Sequence, residues 1–286
     1  MNTYIECIGC LVKQAVEIAK AHVPEDMQDD FMRDILRTIS EIDYSNPPPI
    51  LATLMYSKVS ELTGVNDPYK EIKSYYNEKA LGYYPEMKDI VESSDDPFET
   101  ALRVAVAGNI IDFGIGTKDS IQIGKTVERA LRESFAVNHI NELKDRLSAA
   151  KNVLYLADNA GEIVFDRLFI EQIGPERVVC AFRHAPIIND ATLEDAAQVG
   201  IEGLCRVMSS GSCAPGTPIS LCSDEFKDLF EKADVVISKG QGNFETLSDA
   251  SREIFFLFMA KCHVISAEVG VPTGSFIAMR SVNQVS

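Results

Sequence analysis

The sequence predicts an α/β fold in two parts: an N-terminal helical bundle over residues 1–150 and a sheet domain over residues 151–286. Two observations carry this. In the second half, apolar runs too short for helices alternate with helical patterns, as in a parallel sheet with covering helices. In the first half, apolar residues recur only at helical spacing, and no alternating strand pattern precedes residue 150. Strand and helix alternating in this way give a Rossmann-like, three-layer α/β/α domain.

Leu11, Ala15, Ile18 and Ala19 form the first helical stripe. After Pro24, Glu25 and Asp26 a second follows in Phe31, Ile35, Leu36, Ile39 and Ile42. Pro47 to Pro49 break the chain and suit a helix start, and Leu51, Met55, Val59 and Leu62 continue to a stop at Gly64. Asp67-Pro68 and Asp96-Pro97 predict two more helix starts, the second with Glu99 at capping-box spacing ahead of Leu102, Ala105 and Val106. Residues 125–149 read as one or two further helices. Strands are expected at 153–157, 178–182, 204–208, 235–238 and 264–267, and helices near 162–172, 190–199, 224–232 and 246–260.

The 286 residues, 46% of them hydrophobic, suffice for a full core. A formal charge of -16 argues against a nucleic-acid partner, which needs a basic footprint. No stretch approaches the ~18 consecutive apolar residues of a membrane span, and residues 1–7 lack the pattern of an export signal. Seven cysteines, an odd count, fit reduced thiols in a cytoplasmic protein.

Chemistry concentrates where predicted strands end, because ligands of open parallel sheets bind at the carboxyl ends of strands. The first run stops at Asp158-Asn159-Ala-Gly161-Glu162. An acid beside an amide suits a hard divalent cation with oxygen ligands. After the second run comes Arg183-His184-Ala-Pro186, then Asn189-Asp190-Ala-Thr192. Asp190 reads either as the cap of the next helix or as a second carboxylate facing Asp158 and Asn159. The stretch 209–218 is rich in turn residues and reads as a lid or a long connection. The fourth run ends in Ser238-Lys239-Gly240-Gln241-Gly242-Asn243-Phe-Glu245, which reads as a phosphate cradle or a plain glycine turn. It is neither a Walker loop nor a dinucleotide fingerprint. Gly108-Asn109 and Asp112, ahead of Gly114 and Gly116, fit a site or a capped turn. Cys7-Ile-Gly-Cys10 has the spacing of half a zinc site or a redox pair, but no second Cys-x-x-Cys follows and His22 is not at a ligand spacing. His184 and His263 read as packed or solvated.

Taken together and in this order, the Asp158-Asn159-Ala-Gly161-Glu162, Asn189-Asp190-Ala-Thr192 and Lys239-Gly240-Gln241-Gly242-Asn243 stretches, preceded by Asn109 and Asp112, resemble the metal-dependent damage-control phosphatases. The Cys7 and Cys10 pair is similar to that of the short prokaryotic branch. The resemblance implies a helical region on a three-layer α/β domain. It implies metal ligands at Asp158, Asn159 and Asp190, a phosphate contact at Lys239, and site positions at Asn109, Asp112, Glu162, Arg183 and Asn243. It also implies hydrolysis of small phosphate monoesters, sugar phosphates or damaged nucleotides among them, with Mg²⁺, Mn²⁺, Co²⁺ or Ni²⁺.

The expected chemistry is attack by metal-activated water, with Glu162 orienting the water or acting as base and with Lys239, Gly240 and Gly242 holding the phosphoryl group. The rival enzyme reading is an S-adenosylmethionine-dependent methyltransferase. It is disfavoured because the loop after residue 157 lacks a glycine-rich turn and carries an acid and an amide where a carboxylate would have to bind. A non-catalytic metal-binding sensor is the other rival.

Overall fold

The computed structural model describes residues 1–108 and 123–281. Five helices come first: α1 (Ile5–His22), α2 (Gln28–Glu41), α3 (Pro48–Thr63), α4 (Lys70–Glu92) and α5 (Pro97–Gly108). The stripes predicted on α1, α2 and α3 face one another except at Leu36, which is 47% exposed, and Leu11, Ala15, Ile18, Phe31, Ile35, Leu51, Met55 and Val59 share one buried cluster. Gly64 ends α3 with φ 70°, a left-handed conformation that glycine adopts without a Cβ penalty. Asp96 caps α5 as predicted, accepting from the Glu99 N–H, whereas Asp67 is not the N-cap of α4, which is Tyr69; Asp67 instead accepts from the Tyr69 N–H in the turn before the helix.

The chain continues through α6 (Ile123–Arg132), β1 (Val137–Asn138), α7 (Ile140–Ala149), β2 (Val153–Leu156), α8 (Glu162–Ile173), β3 (Val178–Phe182), α9 (Leu193–Gln198) and β4 (Arg206–Ser209). It closes with α10 (Asp224–Lys232), β5 (Val235–Lys239), α11 (Gln241–Leu247), β6 (Phe255–Met259), α12 (His263–Val269) and β7 (Phe276–Arg280). The seven strands form one sheet in the order β1-β7-β6-β5-β2-β3-β4. Neighbours from β6 to β4 are parallel, whereas β7 runs antiparallel to β6.

Side chains alternate between two cores, one on each sheet face. Val153, Tyr155 and Ala157 pack with Phe165 and Phe169 of α8 and with α5, while Leu154 and Leu156 pack with Phe226, Phe230 and Phe244 on the other face. Strands buried on both faces read as continuous apolar runs. The core does not break at residue 150, because β1 pairs with β7.

Four further expectations need correction. The run 264–267 is not a strand but the middle of α12, which ends at Gly270 with φ 76°. The strand lies instead at Phe255–Met259, inside the stretch expected to be helical over 246–260. A short apolar run is ambiguous between a doubly buried strand and a buried helix, and here the ambiguity went both ways. The sheet is also not wholly parallel, and β1 precedes residue 150.

Candidate active site

The strand order reverses about β2: β3 lies on one side of it and β5 on the other, and the loops after all three strands converge at one end of the sheet. Such a switch point opens a crevice. A cleft of about 610 Å³ lies there. Its floor carries Asp158, Asn159, Asp190 and Gly242, its near wall Gln241, Glu245, Lys261 and Cys262, and its far wall Cys7, Leu11 and Gln14 of α1 with Pro49 and Ala52 of α3.

Backbone hydrogen bonds bring the acid-amide pair and the second acid together. The Asp158 carbonyl accepts from the Ala191 N–H at 2.7 Å, and the Ala160 N–H donates to the Asn189 carbonyl at 2.9 Å. Asn159 and Asp190 thus form an isolated antiparallel bridge. Ile188, just upstream, holds φ 47°, the one non-glycine positive φ among the described residues and a strained conformation for a β-branched side chain. The cap of α9 is Thr192, which closes a capping box with Asp195, so the Asp190 carboxylate is not spent on capping.

The Arg183 guanidinium, 1% exposed, ties the two carboxylates together. Its Nε donates to Asp190 Oδ2 at 2.7 Å, and one terminal nitrogen stands 3.6 Å from Asp158 Oδ1. It also donates to Thr217 and Asn243 at 3.2 Å each. Asn243, fully buried, donates to the carbonyls of Ala157 and Lys239 and accepts from Thr217. The stretch 209–218 is therefore a packed connection: Thr217 is locked to Asn243, and Gly216 abuts Gly242 so closely that a Cβ on it would stand 2.3 Å from the Gly242 oxygen. Gly240 has φ 78°, and a Cβ there would lie 1.8 Å from Asp158 Oδ2.

Lys239 is not in the cleft. Its ammonium is fully buried beneath the floor, donating to the Ala105 carbonyl at 2.9 Å, to Glu162 Oε1 at 2.7 Å and to Asp166 Oδ1. Burial alone would lower its pKa, but the Asp166 and Glu162 carboxylates together raise it. Glu162, also 0% exposed, passes the support upward: Asn159 Nδ2 donates to Glu162 Oε2 at 3.1 Å and to Asp158 Oδ2 at 2.8 Å. Lys239, Glu162, Arg183 and Asn243, expected against substrate, all lie below the cleft and hold its floor. Asn109 and Asp112 lie outside the described residues.

Two residues the sequence did not single out belong to the site. Lys261, just past the end of β6, brings a cation into the cleft. The signal was an apolar run ending in Lys, hidden by the helical reading of 246–260. Asn77 of α4, fully buried, accepts from the Gly161 N–H at 2.6 Å and donates to Asp195 at 3.1 Å, pinning the turn after Asn159. Nothing in the local sequence signals it.

The donor set suits a hard cation. Burial holds the Asp158 carboxyl well above the usual range, and the carboxylates of Glu162 and Asp190 push it further. Burial also raises Asp190, against the pull of Arg183 and a hydrogen bond from the Gly216 N–H. A buried acid pushed up by neighbouring carboxylates is stabilised by positive charge beside it. With Asn159 donating its amide N–H groups to Asp158 and Glu162, its carbonyl oxygen is the atom left to join them. Among the described residues no three His, Cys, Asp or Glu side chains gather round one point, so the set is two acids and an amide.

Known proteins agree in kind. Residues 3–277 match the damage-control phosphatase ARMT1-like domain. A damage-control phosphatase of Pyrococcus horikoshii is 36% identical, the alignment covering 98% of this chain and 99% of that protein. Another from Archaeoglobus fulgidus is 36% identical over 95% of this chain and 96% of its own. The crystal structure of a DUF89 family protein from Pyrococcus horikoshii superposes with a TM-score of 0.86, covering 98% of this chain and 99% of that one. With the match spanning nearly all of its residues, the chain belongs to the family of damage-control phosphatases with an ARMT1-like domain.

Proposed function

We propose that the chain is a divalent-metal-dependent phosphatase of small phosphorylated metabolites, sugar phosphates or damaged nucleotides. Family membership supports the phosphatase role. The observation that carries the metal dependence is the pairing of buried Asp158 and Asp190 beside Asn159 at the floor of the cleft. Mg²⁺, Mn²⁺, Co²⁺ or Ni²⁺ held by these three would neutralise phosphoryl oxygens and acidify a bound water.

The chain's own residues supply the rest. Lys261 meets the phosphoryl group from the near wall, in the role the sequence had suggested for Lys239. Arg183 and Asn243 fix the two carboxylate-bearing loops, and Lys239 and Glu162 hold the Asn159 amide from below. The mixed far wall of Leu11, Pro49, Ala52 and Gln14 receives the organic part of the substrate, so a compact metabolite fits better than a polymer. Among the described residues no helix is long and apolar enough to cross a membrane.

The test is phosphate release from a panel of phosphorylated sugars and nucleotides by metal-stripped protein, with each of the four metals restored, beside Asp158→Ala. Turnover that needs metal and vanishes in the variant is expected. Turnover equal in both, or none with any metal, would overturn the reading and return the methyltransferase or sensor to consideration.

A further inference from the structure

Ile188 holds a left-handed backbone, φ 47°, two residues before Asp190. That conformation is costly for a β-branched side chain and persists only where the surroundings over-determine it. Space alone does not impose it here. Ile188 stands between the cleft and a second cavity of about 440 Å³, lined on its other side by Tyr56, Ser57 and Ser60 of α3, so the loop has room behind it.

What denies the loop that room is a grip from two directions. Ile187, 4% exposed, is buried in the cluster formed by α1, α2 and α3, and Ile188 packs against the same cluster. From the sheet side, the Ala160 N–H donates to the Asn189 carbonyl and the Ala191 N–H to the Asp158 carbonyl, while the Asp190 N–H closes a turn onto the Ile187 carbonyl at 3.0 Å. Pinned at both ends, the chain takes up the difference at Ile188.

We infer that Ile188 is a positioning residue: gripped by the N-terminal helices, its side chain locks residues 187–190 in the strained turn that holds the Asp190 carboxylate beside Asp158 and Asn159. The helices thereby do more than wall the cleft, since they keep its two acids in register. A residue at ease with positive φ would relax the turn and release the carboxylate. Where Asp190 serves a metal the inference rests on the phosphatase reading; the lock itself does not.

The experiment compares Ile188→Ala, Ile188→Gly and Ile188→Val in the full, metal-stripped chain. Alanine and glycine both remove the grip, but only glycine is at ease at this φ. At an ordinary position alanine is the more stable; here glycine is expected to be, by roughly threefold or more in the unfolding equilibrium constant. Hydrogen exchange at the Ala160, Asp190 and Ala191 amides should be roughly tenfold or more faster in Ile188→Gly than in the wild type, while the amides of β2 keep their protection. Ile188→Val, which retains the branch and the grip, should restore that protection. Mn²⁺ affinity, followed by titration, should fall roughly tenfold in Ile188→Gly. If Ile188→Gly does not fold, Ile188→Asn, which tolerates the left-handed region at this half-buried position, takes its place. An alanine variant more stable than the glycine one would overturn the strain, and unchanged exchange at the three amides would overturn the positioning. A wild type that binds no Mn²⁺ would sink the metal reading alone, with exchange still deciding the lock.

Discussion

The ammonium of Lys239 stands 2.7 Å from Oε1 of Glu162, with both side chains fully buried. This pair carries charge through the floor of the cleft rather than into it. Removing one partner of a buried pair strands the other. Lys239→Met is expected to destabilise the fold by about 3–5 kcal/mol, read by denaturant unfolding. Lys261→Met should leave the midpoint nearly unchanged and raise KM roughly tenfold or more, the worth of one charge-assisted hydrogen bond. The reverse pattern would restore Lys239 as the phosphate contact.

Gly240→Ala sets a methyl group against Asp158 at a backbone conformation L-residues avoid. The variant should lose about 1–3 kcal/mol of stability and most of its activity, because Asp158 has to move. Melting and turnover measured on the same preparation check both halves.

Asn77→Ala leaves the Gly161 N–H without its acceptor 84 positions away in sequence. Stability should fall by about 1–3 kcal/mol, and affinity for Mn²⁺, followed by titration, roughly tenfold. Unchanged Mn²⁺ affinity would reduce Asn77 to a purely structural role.

Asp166 gives a pH signature. Burial pushes its carboxyl from 3.8 up to about 6, against the pull of Lys239. Between those values the folded chain keeps a proton that the unfolded chain has released, so this group's contribution to stability is full below the lower value and is lost as pH rises through the window. The loss is on the order of 3 kcal/mol at most. In Asp166→Asn the metal-free protein should lose this falling component, so that its stability relative to wild type improves from pH 4 to pH 6. A constant difference across that range would show that Asp166 does not titrate there.

Much of this was legible in the sequence because parallel strands announce themselves and put chemistry at their ends. Asp158, Asn159 and Asp190 could be picked out as residues following apolar runs, and the structure brings them together. What the sequence did not reveal is direction. Lys239 is the last residue of β5, and strand alternation sends its side chain down into the core beside Asp166 instead of up into the cleft. Lys261 escaped notice because Phe255–Met259, buried on both faces, has no alternation to mark it as a strand. Asn77 reaches the site from a helix whose stripe says nothing about its polar face.

The two walls of the cleft rest on different foundations. The floor and near wall hang from the sheet, whereas Leu11 and Ala52 of the far wall belong to the separate cluster shared by α1, α2 and α3. Under the proposed function, changes to α1 and α3 would alter what the cleft admits while leaving the loops after β2 and β5 in place.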